Sequence, residues 1–357
     1  MKIKKYKELI LIIFLSLIIN FSTINTFPVL DRDEARYAQS TKQMLETGDY
    51  NSIKFQNELR SKKPIGIYWL QSASVNLLSI IKTEKHPDKK FNNIWKYRFI
   101  SSFFSLFTCL AFFLIASKVL DRKIAFFSSL TLQCSLLFII ESHIAKTDAV
   151  LLTCSLLSMI LLLGYYKRIF KKKYDLIFIA FWSSLGLSIL IKGPVLFFMV
   201  LSTIFFIILF KKEKKWILET NPLIGFIIIL IIVIPWFLSI SGPEQSSFIN
   251  EGFKRDFLDK ILSVQEKHGA FFGAHTLAIL ILFFPMSLFL VPSISKIITD
   301  YRSENNFFLM AWILPNLIIF EFIPTKLPHY TLPLYPALSL LVGNYIASQY
   351  SFTKTKL

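Results

Sequence analysis

Residues 27–50, FPVLDRDEARYAQSTKQMLETGDY, set three carboxylates, Asp31, Asp33 and Glu34, directly after an apolar segment of membrane-crossing length, with Arg32 and Arg36 interleaved. Ionisable groups held beside hydrocarbon are costly and tend to be functional, so this pattern points to a charged substrate or an ion more than to a solvated loop. A further acid, Asp148, and the cations Lys63, Lys192, Arg255 and Lys326 recur in other segments that flank apolar runs. A carboxylate can take a proton or ligate a divalent ion through oxygen. Arginine and lysine, Arg36 included, are the usual partners of phosphate. Acid and phosphate-binding cations together at a membrane surface suggest group transfer from a lipid phosphate. His143, His268 and His329 fall near these residues, whereas His86 reads as solvated and His275 as packed on an apolar helix.

The elements that must position these groups are apolar. Of 357 residues, 54% are hydrophobic, and 37 are Phe, a composition typical of polytopic membrane proteins and rare in soluble domains. The net charge is +17, but the basic residues cluster between apolar runs, as membrane-flanking loops do, which excludes nucleic acid as the partner. Cys109, Cys134 and Cys154 lie inside apolar runs and read as packing residues. Runs of about 17–25 residues suit a bilayer core. They lie near 8–27, 99–117, 124–141, 148–166, 176–191, 195–210, 222–240, 271–291, 306–323 and 331–348.

This predicts an all-α integral membrane bundle of about ten helices, one domain over 1–357, opening on an uncleaved anchor. The run Pro64–Ile81 carries Tyr68, Trp69, Gln71, Ser72, Ser74 and Asn76 and is polar for a lipid-facing helix. The lysine clusters at 167–173 and 211–215 stay cytoplasmic, together with both termini, only if this run does not cross. It is therefore read as interfacial or re-entrant within a first outer loop, 28–98, with 241–270 as another outer loop. Lys82, Lys85, Lys89, Lys90, Lys96 and Arg98 then stand as an exception to the charge rule. Within the first loop, 34–46 reads as an amphipathic helix with Ala35, Ala38, Met44 and Leu45 as its apolar positions, ended by Gly48. The chemistry-bearing residues gather on the face away from the cytoplasm.

The stretch RDEARYAQSTKQMLETGDYNSIKFQNELRSKKPIGIYWL resembles the first outer loop of polyprenyl-phosphate-dependent membrane glycosyltransferases of the GT-C type. That superfamily includes aminoarabinose transferases acting on lipid A and, more distantly, protein O-mannosyltransferases. The matching positions are Asp33, Glu34, Arg36, Tyr37, Ala38, Gly48, Asp49, Lys63, Pro64, Tyr68 and Trp69. The likeness continues in order through KTDAV at Asp148, IKGPV at Lys192, IPW at Pro235–Trp236, EKHG at His268 and TKLPHYTLPLYPALSLL with Lys326 and Tyr330. The resemblance implies a sugar donor on a polyprenyl phosphate in the membrane lipid. It implies a glycolipid, glycan or protein acceptor at the outer face of a bacterial inner membrane. It further implies inverting transfer with Asp33 as catalytic carboxylate, Glu34 sharing its role and Asp148 as the second acid. Lys63, Arg255 and Tyr330 resemble phosphate-holding residues, joined by Arg36 and Lys326, with Lys192, His268 and Tyr68 as further contacts. No cofactor is implied; a divalent ion, if one is used, falls to Asp33 and Asp148. Lys62 stands where the aminoarabinose group often has Glu, which leaves sugar and acceptor open. The soluble C-terminal domain of larger members is not expected in this chain.

The rival class is a transporter or a flippase for lipid-linked sugars. Transporters carry ionisable residues at the bilayer midplane. Here the predicted spans are nearly free of charge, Glu321 excepted, and the charges collect at one surface. An inactive assembly subunit is the third reading, and it predicts tolerance of substitution at Asp33 and Asp148.

Overall fold

Backbone in hydrocarbon must satisfy its own hydrogen bonds, so long apolar runs become helices. A computed structural model describes residues 2–29, 31–84, 86–170, 175–259 and 269–355. The helices are α1 Lys2–Phe21, α2 Arg32–Thr47, α3 Gly66–Ile81, α4 Pro87–Phe91, α5 Ile94–Val119, α6 Arg122–Gln133, α7 Leu136–Ser142, α8 Asp148–Tyr166 and α9 Leu176–Lys192. They continue with α10 Val195–Lys211, α11 Lys215–Glu219, α12 Pro222–Ser239, α13 Gly242–Ser247, α14 Ala274–Leu282, α15 Leu290–Thr299, α16 Glu304–Phe322 and α17 Tyr335–Thr355. A π-helical stretch, Phe248–Asp259, follows α13. Two short strands, β1 Lys54–Phe55 and β2 Glu58–Leu59, form a small antiparallel hairpin between α2 and α3.

A helix that is apolar all round is either buried in a core or faces lipid. Helix α8 is the first kind: nearly every residue is buried, between α5 on one side and α9 on the other. Helix α12 is the second: it packs along α9 but leaves most of its surface exposed. Polar side chains fasten α10 to α16, where Ser202 Oγ donates to Asn316 Oδ1 at 2.7 Å and Asn316 Nδ2 donates to Thr203 Oγ1 at 3.3 Å. Small residues bring α6 and α17 close. A Cβ added at Gly343 would stand 2.6 Å from the Ser128 backbone nitrogen.

Several expectations change in detail. Among the described residues, four helical segments are long and apolar enough to cross a membrane, and two bent pairs raise this to six. The run near 124–141 is bent by 66° between α6 and α7, and the run near 271–291 by 109° between α14 and the segment 286–299. Pro285 stands at the second bend and has no N–H to continue the helix. The last run opens as a tight 3₁₀ turn, Pro328–Leu334, before α17 begins. Helix α3 has 16 residues. It is thus roughly 24 Å long, against a bilayer core of about 30 Å.

The burial pattern of α2 also differs from the expected one. Its buried face is Glu34, Tyr37, Ser40, Thr41 and Met44, while Ala35 is exposed and Ala38 and Leu45 are only partly covered. Tertiary partners for the polar residues override the apolar periodicity. Similarly, two of the charges that broke the positive-inside pattern are internal. Lys96 is fully buried, paired with Glu84 and donating to Ser79 Oγ at 2.9 Å, and Arg98 is buried against Glu34.

Because a Cβ at Gly343 would meet the Ser128 backbone as well as its Oγ, and turning the hydroxyl away would not relieve the backbone contact, Gly343→Val must push α17 off α6. An overpacking cost of about 1–3 kcal/mol is expected, read as a lowered unfolding midpoint in detergent.

Candidate active site

Between α7 and α8 the chain unwinds over 143–147, most of it buried. Buried non-helical backbone needs partners from elsewhere. Ser102 Oγ donates to the Ser142 carbonyl at 2.9 Å, Ser101 Oγ to the Ile144 carbonyl at 2.7 Å, and Gln71 Nε2 to the Ala145 carbonyl at 3.1 Å. The Ala145 N–H donates to Glu34 Oε1 at 2.9 Å. Side chains of α2, α3 and α5 thus hold open the turn that delivers Lys146 and Asp148.

Glu34 itself is sealed. Arg98 Nε donates to its Oε1 at 2.7 Å and Nη2 to its Oε2 at 2.9 Å. Arg98 also donates to the carbonyls of Ile24 (3.0 Å), Phe27 (2.7 Å) and Pro28 (3.1 Å). That uses every N–H a guanidinium has. Glu34 is thus a buried, paired brace of the site.

Helix α2 starts at this brace. Asp31 caps it, its Oδ1 accepting from the Asp33 N–H at 2.7 Å and the Glu34 N–H at 3.1 Å, and Gly48 ends it at φ 72°. The other oxygen of Asp31 accepts from Lys146 Nζ at 3.1 Å. Burial alone would raise the Asp31 pKa, but the Lys146 charge and the two N–H groups outweigh it and hold this carboxyl below its ordinary range. Asp33 points outward, half exposed, with Arg36 at 3.4 Å, so its carboxylate is open to a solute. Its charge also reaches Arg60, which donates from Nε to Tyr68 Oη at 3.2 Å and lies over the Tyr37 ring at 5.4 Å. Tyr68 is fully buried beneath this cluster.

At the other end of the turn, Asp148 accepts from Lys192 Nζ at 2.5 Å, with both side chains almost fully buried. Lys192 lies over the Tyr330 ring at 5.6 Å. Beside them opens a cavity of about 620 Å³. Lys62, Lys63, Lys192, His329 and Tyr330 line one part of it. The rest is apolar except for Asn316, and the lining residues Phe198 and Ile319 also reach the outer surface of α10 and α16, 52% and 46% exposed. Burial pushes the His329 imidazole down to about 3, with Lys192, Lys146 and Lys63 acting the same way against Asp148. It is neutral at physiological pH.

Of the candidates from sequence, Lys63, Lys192 and Tyr330 meet at this cavity, with Asp148 against Lys192. Lys326 turns instead to the end of α16, donating to the carbonyls of Phe320 (3.1 Å) and Glu321 (2.5 Å) beside the Glu321 carboxylate. Arg255 falls on the π-helical stretch, its side chain outside the described part, and His268 lies outside the described residues. His143 bonds locally, to the Ile139 carbonyl at 2.7 Å, and His275 bonds across to the Phe320 carbonyl of α16 at 2.9 Å. Sequence reasoning singled out Asp31 without giving it a role, and it assigned no site role to Arg60, Arg98 or Lys146. Arg98 had a signal, a lone guanidinium at the head of an apolar run. Among the described residues no three His, Cys, Asp or Glu side chains group to hold a metal ion, and Asp148 is committed to Lys192.

Removing either half of the Glu34–Arg98 pair leaves a buried charge. Glu34→Gln or Arg98→Met is expected to cost about 3–5 kcal/mol. The double variant should cost less than the sum of the two, as read by unfolding in detergent.

The sequence pattern of the family described as Dolichyl-phosphate-mannose-protein mannosyltransferase matches residues 9–242. An uncharacterized protein of Aquifex aeolicus is 26% identical over 98% of this chain and 66% of its own length. An undecaprenyl phosphate-alpha-4-amino-4-deoxy-L-arabinose arabinosyl transferase of Pseudomonas fluorescens is 22% identical over 91% of this chain and 57% of its own. Among solved structures, ArnT from Cupriavidus metallidurans bound to undecaprenyl phosphate superposes with a TM-score of 0.81 at 19% identity, over 96% of this chain and 60% of that one. The Archaeoglobus fulgidus oligosaccharyltransferase gives 0.68 at 13% identity, over 99% and 52%. The chain thus spans about half to two thirds of the length of these relatives.

Proposed function

The chain belongs to the dolichyl-phosphate-mannose-protein mannosyltransferase family, and on that premise we propose that it transfers a sugar from a polyprenyl phosphate to a glycolipid, glycan or protein acceptor. The observation that carries this reading is the composition of the cavity: apolar walls that reach the outer surface of the bundle, and lysines, a histidine and a tyrosine collected along one part. An isoprenoid suits the walls; a phosphate suits the cations. The names of relatives that act on or bind undecaprenyl phosphate support the same class of donor.

In this reading Asp33 takes the proton of the acceptor hydroxyl as that oxygen attacks the anomeric carbon. The bond from that carbon to the phosphate oxygen breaks on the opposite face, and its electron pair leaves with the phosphate. Lys63 and Lys192 stabilise the charge that develops there, and Tyr330 donates a hydrogen bond. No general acid is required, because a phosphate held by cations is a competent leaving group. The site faces the extracytoplasmic side of a bacterial inner membrane, in a bundle of about ten crossings with α3 as an interfacial helix. The lysine-rich segments on the opposite side and the length of α3 support that orientation.

The test is turnover of radiolabelled polyprenyl-phosphate sugars by purified protein in liposomes, across a panel of sugars and acceptors. Asp33→Asn is expected to lower the rate about 10²–10⁴-fold, and Lys63→Met to raise KM for the donor more than it lowers kcat. Release of sugar by wild type and Asp33→Asn alike would remove Asp33 from the chemistry. Movement of intact donor across the bilayer without sugar loss would favour a flippase. The cavity is in the range of a drug-sized ligand site, room for a phosphate and the first isoprene units only. Donors on carriers of roughly four isoprene units should therefore be turned over within a few-fold of full-length ones.

A further inference from the structure

The two acidic positions of the candidate site, Asp33 and Asp148, come from turns more than a hundred residues apart, and a buried ammonium links the segments that carry them. Lys146 Nζ lies 3.1 Å from Asp31 Oδ2 and 3.5 Å from Glu141 Oε1, with the lysine side chain only 9% exposed. Asp31 is 115 residues away in sequence. Its other oxygen already holds the N–H groups of Asp33 and Glu34, so Lys146 grips the cap that sets the first turn of α2. Two residues after Lys146 comes Asp148, the first residue of α8, in its ion pair with Lys192. The second oxygen of Glu141 is buried and has no hydrogen-bond partner among the described residues. A buried carboxylate left so poorly satisfied needs the nearby cation to remain in place.

We propose that Lys146 is a positioning residue for the sugar transfer: by holding Asp31 against Glu141 it fixes where Asp33 stands relative to Asp148 and the mouth of the cavity. The proposal rests on the transfer reading above. Lys146 does not touch Asp33; it acts through the Asp31 cap, one carboxylate removed. A backbone shift at a catalytic turn of about 1 Å can cost on the order of 10²-fold in rate, without loss of binding. The groups that face this lysine are Asp31 at the head of α2, Glu141 on α7 and Asp148 on α8. Lys192 and His329 lie beyond them. Burial would lower the proton affinity of the ammonium, but the three carboxylates more than reverse this, so Lys146 stays charged throughout the working pH range.

The experiment compares wild type, Lys146→Met, Lys146→Arg and Asp31→Asn in the liposome assay, with kcat and donor KM measured across pH. Lys146→Met is expected to lower kcat about 10–100-fold, with donor KM within about threefold. The sign of the pH effect follows from Asp31. Its carboxyl is held below the ordinary range chiefly against burial by Lys146, so losing the lysine makes it protonate at higher pH and moves the acid limb of kcat upward. Lys146→Arg should restore both the rate and the limb. Asp31→Asn should reproduce the loss of kcat, and combining it with Lys146→Met should add little. Wild-type kcat in Lys146→Met overturns the proposal. So does a loss that is uniform across pH and matched by a smaller folded fraction, the mark of a merely structural lysine. If folded wild type turns over no donor, the transfer reading itself falls and this proposal with it. Wild-type turnover with an unaffected Lys146→Met removes this proposal alone.

Discussion

A guanidinium with all of its N–H groups engaged, shut away from water, is the interaction on which the candidate site depends. Arg98 binds both oxygens of Glu34 and three carbonyls from the chain between α1 and α2. Burying two charges is costly, and the cost is offset only when geometry and accessory hydrogen bonds are complete. Here they are complete, and the pair also reaches a third segment through the Ala145 N–H. Three stretches distant in sequence therefore share one ion pair. None of them can shift without exposing a donor or a charge to a medium that offers no replacement.

The apolar bundle supplies what that brace stands on. Helix α8 is buried along nearly its whole length, so its first residue, Asp148, is fixed by packing and not by a flexible loop. Helix α9 delivers Lys192 at its last turn, next to Gly193 at φ 81°. At its start α3 passes so close to the end of α9 that a Cβ at Gly66 would lie 2.7 Å from the Leu190 carbonyl oxygen. That contact draws the segment carrying Lys62 and Lys63 in beside Lys192. Positions built on helix ends in this way are held more tightly than positions on free loops.

Helix content, membrane class and family likeness were legible in composition and in the order of short motifs. Apolar length marks a segment for the membrane whatever its neighbours do, and the motifs from Asp33 to Tyr330 keep their order along the chain. The bends were not anticipated: hydropathy over a whole run carries no directional information, and the local cues, polar Gln133 at the first break and Pro285 without an N–H at the second, do not give an angle. The buried face of α2 was misjudged because Glu34 and Thr41 are polar and buried, and what permits this lies far away, in Arg98 and Gln71. The same limit applied to the site. Residue types flagged Lys63, Asp148, Lys192 and Tyr330. Nothing in the spacing told that Lys326 would bond the end of α16, or that Lys146 and Asp31 would meet across 115 residues. Pairing is a property of the fold, and a single sequence records only the partners' chemistry.

The contact between Lys192 and Asp148 has a bearing on exchange. An ammonium with a counter-ion already at 2.5 Å cannot offer an incoming anion its full attraction. Any anion that approaches Lys192 must share it with Asp148, and an anion that departs is replaced at once by a partner that never left. Such a cation behaves as an ion exchanger with a resident ion, giving up part of its grip on arrival in return for an easy release.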